Sequence, residues 1–221
     1  MNPDVMLNLQ GLCVRYGTFT AVDHLDLEIH AGELFGLLGP NGAGKSSTLR
    51  VLIGQRRPAS GTVTVAGHDL ARDWQQVKSL FGYVPDRENH FEEFSGRRNL
   101  QFFAGLYGAD RARIEECLKL VELDEAAHLP VKAYSLGMRR KLLLARGLLH
   151  RPRVLYLDEP TANLDIHSIA VVQRIMRELA AAGVTVVLTT HNMQEVEQVC
   201  DRVAILNHGR LVALDSPLAL R

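Results

Sequence analysis

"LFGLLGPNGAGKSS" spans residues 34–47, and its reading decides the fold. The apolar run at 34–38 fits a buried strand and stops at a glycine. Gly39, Gly44, Lys45 and Ser46 satisfy G-x-x-x-x-G-K-[ST], and a helical pattern through Leu49, Leu52 and Ile53 follows, closed by Gly54. Strand, glycine loop and helix in that order form the context in which such a loop cradles phosphates. Gly42 and Gly44 let the backbone turn tightly, so that successive N–H groups aim at phosphate oxygens. The helix N-terminus adds partial positive charge. The whole cradle, Gly39, Pro40, Asn41, Gly42, Ala43, Gly44, Lys45, Ser46 and Ser47, is expected to bind the phosphates of a nucleotide. Lys45 is expected to reach the β- and γ-phosphates and the Ser46 hydroxyl to ligate Mg²⁺.

Working outward, "VLYLDE" (154–159) and "VTVVLTTH" (184–191) read as further buried strands, with an amphipathic helix, "IHSIAVVQRIMRELAAAG" (166–183), between them. Buried strands alternating with helices mean a mostly parallel α/β sheet. Ligands of such sheets bind at the C-terminal strand ends. Asp158 stands there to hold the metal, and Glu159 to orient and deprotonate an attacking water. His191 ends the third strand, where it can donate a hydrogen bond to the γ-phosphate. "MLNLQGLCVRY" (6–16) and "VDHLDLEIH" (22–30) alternate as half-exposed antiparallel strands, and "GTVTVAGHDL" (61–70) reads as a strand and a turn. From about 95 to 150 the pattern is helical, and "RVAILNHGRLVAL" (202–214) closes as a hairpin turning at 207–209. The expected division is one domain over 1–221. Residues 1–87 and 151–221 form its core and antiparallel β subdomain, and 88–150 an inserted helical subdomain.

Composition narrows the partners. Lys+Arg and Asp+Glu are both 25, so no global basic field draws this chain onto nucleic acid. Cys13, Cys117 and Cys200 are scattered without metal-ligand spacing and read as reduced thiols. "MNPDVMLNLQGL" has neither the basic start nor the apolar stretch of a signal peptide. No apolar run approaches the ~18 residues of a membrane span, so any membrane role is expected to come through a partner.

A second anion-holding element sits at "AYSLGMRRKLLLARGLL" (133–149), where Ser135 and Gly137 open a helix. With it, the motifs in this order resemble the nucleotide-binding subunit of an ABC transporter, over nearly the whole chain. "GPNGAGKSS" resembles that family's Walker A loop, "VLYLDEP" its Walker B strand with the catalytic Glu159, and "TANLD" (161–165) its D-loop. His191 matches its switch histidine, and "YSLGMRRK" its L-S-G-G-Q signature. The resemblance implies a P-loop ATPase core and a head-to-tail pair of cassettes around two Mg-ATP. Ser135 and the Gly137 N–H would then hold a γ-phosphate bound by the opposing cassette. It further implies that Tyr16 stacks on adenine beside Val22, and that Asp165 belongs to the nucleotide contacts. The basic residues Arg139, Arg140, Lys141 and Arg146 read mostly as a solvated helix face.

Three departures stand out. Leu136 replaces the first signature glycine, and Asn163 sits where the D-loop often has glycine, an exchange that Asn tolerates. Asp86, in "FGYVPD", stands where the family has a glutamine near Mg²⁺, and is expected to bind the metal directly or through water. The aromatic-rich stretch 86–108 is expected to dock transmembrane permease subunits, with Phe91 and Phe94 exposed and Phe102 or Phe103 packed inside. The motifs look most like exporters of drug, lipid or polysaccharide type, working on the cytoplasmic face of a membrane, with import the weaker option. No long C-terminal regulatory domain is expected after Arg221. The alternatives are a soluble ABC ATPase acting on ribosomes or nucleic acid, which one cassette and neutral charge disfavour, and a non-hydrolysing regulatory subunit, against which Lys45, Asp158, Glu159 and His191 stand.

Overall fold

A computed structural model describes residues 4–220. Its central sheet has six strands in the order β10-β9-β3-β8-β7-β6. These are β3 (Leu34–Leu38), β6 (Phe81–Val84), β7 (Val154–Asp158), β8 (Thr185–Thr190), β9 (Arg202–Asn207) and β10 (Arg210–Asp215). All neighbours pair in parallel except the β9–β10 hairpin at one edge. β3, β7 and β8 are buried along their whole length, because both sheet faces are covered and every side chain must be accommodated in a core.

Alternate residues of each strand serve opposite faces. Leu34, Leu155, Leu157 and Leu188 pack with α5 (Leu136–Leu148) and α6 (Ile166–Ala181). Phe35, Leu37, Tyr156 and Val187 pack with α1 (Lys45–Leu52) and a second, antiparallel sheet. That sheet runs β2-β1-β4-β5, from β1 (Val5–Tyr16), β2 (Phe19–His30), β4 (Ser60–Val65) and β5 (His68–Asp69). The α/β class and the antiparallel subdomain are as the sequence implies. Two elements are additional: α2 (Trp74–Leu80), and β6, which follows it directly and lies on the edge beside β7. The 202–214 hairpin is there, and its first strand also extends the parallel ladder against β3.

Between β6 and β7 the chain is helical: α3 (Gly96–Tyr107), α4 (Arg111–Leu120), a single 3₁₀ turn at Val131–Ala133, and α5. Ser95, Asp110 and Ser135 each begin a helix by accepting a backbone N–H three residues on. The reading of a solvated basic face on α5 is overturned. Arg140 is 3% exposed and Arg146 8%. Arg140 donates to the Pro85 and Asp86 carbonyls at 2.7 and 3.0 Å. Arg146 donates to Asn89 Oδ1 at 2.7 Å and stacks on Phe103, and Arg139 pairs with Glu88 and Glu92. These guanidiniums face inward because the segment 85–92 offers them carbonyls and carboxylates where water would otherwise stand. α7 (Met193–Val199) packs on β3 and β8 and completes the sheet's covering.

Candidate active site

The strand β3 ends beneath a loop that turns at Gly42 (φ 82°) and Gly44 (φ 106°) before α1 begins. At Gly44 a Cβ would stand 2.7 Å from the Ala21 carbonyl and 3.3 Å from Val22 Cγ2, so both backbone angle and space demand glycine. The loop opens into a cleft of about 310 Å³. Tyr16, the P-loop residues 41–47, Asp86, Asp158 and Glu159 all line it. Residues far apart in sequence are thus gathered at the C-terminal ends of β3, β6 and β7.

Lys45 is 5% exposed. Its ammonium donates to the Gly39 carbonyl at 2.5 Å and the Pro40 carbonyl at 3.1 Å, and stands 4.0 Å from Glu159 Oε1. Burial lowers its pKa, and the charges of Glu159 and Asp158 work against that shift. Asp158, at the end of β7, accepts the Thr189 hydroxyl at 2.5 Å. Its carboxyl is pushed above the ordinary range by burial, and the negative Asp86 and Glu159 add to this, while Thr189 and Arg50 oppose it. Glu159 has φ 47°, and its N–H donates to the Thr189 carbonyl at 3.0 Å. That strained backbone aims its carboxylate between Lys45 and His191, whose Nδ1 lies 3.1 Å from both oxygens. The oxygen donors of Asp158, Asp86 and Ser46 on one cleft, with Asp158 charged at a cost that a cation would offset, fit Mg²⁺.

Tyr16 forms one end of the cleft. A hydrogen bond with Ser47 holds its phenol below the usual range, opposed by burial and reinforced by Arg50 and Arg56. Val22 is fully buried in the core, and Phe19 and Ala21 line the cleft in its place. Asn163 has φ 62°, the turn expected of it. Asp165 caps α6 and accepts the Ser168 hydroxyl at 2.6 Å; it does not line the cleft. Ser135 and Gly137 do not line it either. They stand at the start of α5, where Ser135 is exposed and accepts the Met138 N–H at 3.2 Å.

Three features had no sequence signal beyond their residue type. Arg50 lines the cleft from α1 and approaches the Tyr16 hydroxyl at 3.5 Å. Phe19, 62% exposed, stands at the cleft mouth. Glu195, on α7, is buried with its pKa raised by burial, and accepts the Thr161 hydroxyl at 2.8 Å. It ties the segment after Glu159 to the segment after His191. The aromatic surface is partitioned differently from expectation. Phe91 and Phe102 are exposed, while Phe94 and Phe103 are half-buried under Arg98 and Arg146. Beside them Phe103, Tyr107, Lys78 and His150 line a groove of about 290 Å³.

The family model described as "ABC transporter" matches residues 22–162. "Nod factor export ATP-binding protein I" of Ralstonia nicotianae is 39% identical over 216 residues, covering 96% of this chain and 67% of that protein. "Daunorubicin resistance ATP-binding protein DrrA3" of Streptomyces coeruleorubidus is 41% identical over 214 residues, covering 95% of this chain and 68% of that protein. The chain therefore spans about two thirds of the length of these relatives. A solved structure described as the ATP binding subunit of an ABC transporter superposes with TM-score 0.86 at 28% identity, covering 96% of this chain and 90% of that one.

Proposed function

The chain belongs to the ABC transporter family, and we propose that it hydrolyses ATP in the cleft beneath Gly44 to drive an exporter. The observation that carries this reading is the convergence of the P-loop, a buried Asp158 and a strained Glu159 on one cleft, with Tyr16 at its end. The adenine stacks on Tyr16. The triphosphate lies along the N–H groups of residues 41–47, and Lys45 leaves the Gly39 and Pro40 carbonyls to meet the β- and γ-phosphates. Glu159 orients the attacking water and accepts its proton. His191 holds the Glu159 carboxylate and donates toward the γ-phosphate. When bound, Mg²⁺ would be held by Ser46, Asp158 and Asp86 and would neutralise charge developing on the phosphate oxygens.

Ser135 and the Gly137 N–H stand away from the chain's own cleft, which supports a second cassette whose γ-phosphate they hold. Residues 88–150 form the helical subdomain that carries them, and 1–87 with 151–221 the ATP-binding core. The groove at Phe103 and the exposed Phe91, Phe102 and Tyr107 support a permease docking near 86–108. The relatives' names favour export as the direction. Among the described residues no helix is long and apolar enough to cross a membrane, so the permease holds this subunit at the cytoplasmic face.

The test is to purify the chain from its native membranes in mild detergent and assay Mg-dependent ATP hydrolysis. A stoichiometric multi-span membrane protein in an active preparation is the expected result. Active material accompanied only by ribosomal or DNA-associated proteins would transfer the chain to the soluble class.

A further inference from the structure

Two cavities flank the Tyr16–Arg56 pair. On one side is the nucleotide cleft, lined by Tyr16, Phe19 and Arg50. On the other, between the end of α1, β4 and Trp74, is a cavity of about 590 Å³ lined by Arg56 and Arg57 among others. Arg56 does not line the cleft, and Tyr16 does not line the other cavity. Yet the Arg56 guanidinium lies over the Tyr16 ring, 4.3 Å from its centroid. It is held there by donating to the Arg15 carbonyl, one residue before the ring it covers. The guanidinium thus covers one face of the ring while Arg56 opens onto the other cavity and not onto the cleft.

We propose that Arg56 is a positioning residue for the nucleotide base: it backs Tyr16 from behind and makes that ring a stronger stacking platform. This rests on the reading of Tyr16 as the adenine contact. Two physical effects act together. A cation on one face draws the ring's electron density toward itself, which weakens repulsion between the opposite face and the π cloud of a base. The same contact, with the Arg50 guanidinium 3.5 Å from the phenol oxygen, holds the ring plane before the base arrives, so less side-chain freedom is lost on binding. A ring at the end of a strand, half-buried and facing solvent, is where such fixing counts. Arg56 lies in the connection between α1 and β4 and does not line the cleft.

The experiment is calorimetric titration of ATP and of inorganic tripolyphosphate, each with Mg²⁺, into the wild type and into Arg56→Ala, Arg56→Lys and Tyr16→Ala. Tripolyphosphate presents the phosphates without a base. Arg56→Ala is expected to weaken ATP about three- to fivefold, the scale of one exposed cation–π contact, and to leave tripolyphosphate unchanged. Arg56→Lys keeps the charge without the planar stack and is expected to fall between. Wild-type ATP affinity in Arg56→Ala, with Tyr16→Ala weakened, would overturn the inference alone. So would a parallel loss of tripolyphosphate, which would show a disturbance of the loop as a whole. An unchanged ATP affinity in Tyr16→Ala would remove the reading of Tyr16, and the inference with it.

Discussion

Gly137 offers a test of how the start of α5 is held. A Cβ on Gly137 would clash with the Ser168 hydroxyl and stand 2.9 Å from Ser168 Cβ. The hydroxyl cannot simply swing aside, because it donates to Asp165 at 2.6 Å and Asp165 caps α6. Gly137→Ala meets two opposed effects. Alanine inside a helix is favoured over glycine by roughly 0.5–1 kcal/mol. Overpacking of a fitted contact costs about 1–3 kcal/mol, and disturbing the α6 cap up to about 1 more. The net expectation is a loss of about 1–2 kcal/mol by urea unfolding. Adding Ser168→Gly removes both clashing atoms. The double variant should then be more stable than the two single losses predict, with a coupling of about 1–2 kcal/mol. If Gly137→Ala is as stable as the wild type or more so, the helix propensity has won and the two helix starts do not interlock. ATPase activity should fall in the single variant and recover in part in the double one, because the start of α5 is the surface proposed to meet the second cassette.

Four further outcomes follow from the site and its surroundings. Glu159→Gln should lower hydrolysis by about 10²–10⁴, the usual worth of a general base, while retaining ATP and dimerising with Mg-ATP in size-exclusion chromatography; a variant that holds ATP as a monomer would count against a homodimer. Asp86→Asn should raise the Mg²⁺ concentration needed for half-maximal hydrolysis, and an unchanged requirement would make Asp86 a solvated turn residue. Burial raises the folded pKa of Asp158 above its unfolded value near 4, so its contribution to stability is full below that value and is lost as pH rises through the folded pKa; without Mg²⁺, Asp158→Asn should unfold at higher urea than the wild type at pH 7, and equal midpoints would sink the argument. His90 is half-buried, and desolvation with the charges of Arg146, Arg139 and Arg140 lowers its pKa to about 4 against the opposing bond to the Arg139 carbonyl; its contribution is full above about pH 6.5 and is lost as pH falls toward 4, so the wild type should lose about 2 kcal/mol between pH 7 and 5 that His90→Gln does not.

What was legible in the sequence was local. β3, β7 and β8 are continuous apolar runs because both their faces are buried, and that pattern needs no knowledge of the partner strand. The P-loop, Asp158, Glu159 and His191 are legible for the same reason, since each sits at the end of such a run. β6 was not legible: four residues with a glycine at the second, on the sheet edge, give no periodicity to read. The parallel pairing of β9 with β3 joins segments about 170 residues apart, and alternation alone shows only its hairpin with β10. Val22 is buried against the P-loop at Gly44 and does not itself line the cleft. It shares β2 with Ala21, which does line the cleft, and sequence alone does not tell which of two neighbouring small apolar residues reaches it.

The arginines of α5 show the largest gap between sequence and structure, and they bear most on function. A basic run on a helix looks solvated because sequence does not reveal what lies opposite it. Here the segment 85–92 lies opposite, and Arg139, Arg140 and Arg146 grip its backbone carbonyls, carboxylates and Asn89. That segment contains Asp86, which lines the cleft, and leads into Phe91 on the aromatic surface. Arg140 bonds the carbonyl of Asp86 itself. A shift of α5 relative to the sheet must therefore either carry Asp86 with it or break buried charge-assisted bonds, each costing more than an exposed one. On the proposed function, α5 begins at the second cassette's phosphate and the aromatic surface meets the permease. The three arginines then make those two contacts and the metal ligand one mechanical unit, so that closure on ATP is felt at the membrane without any long-range path through the core.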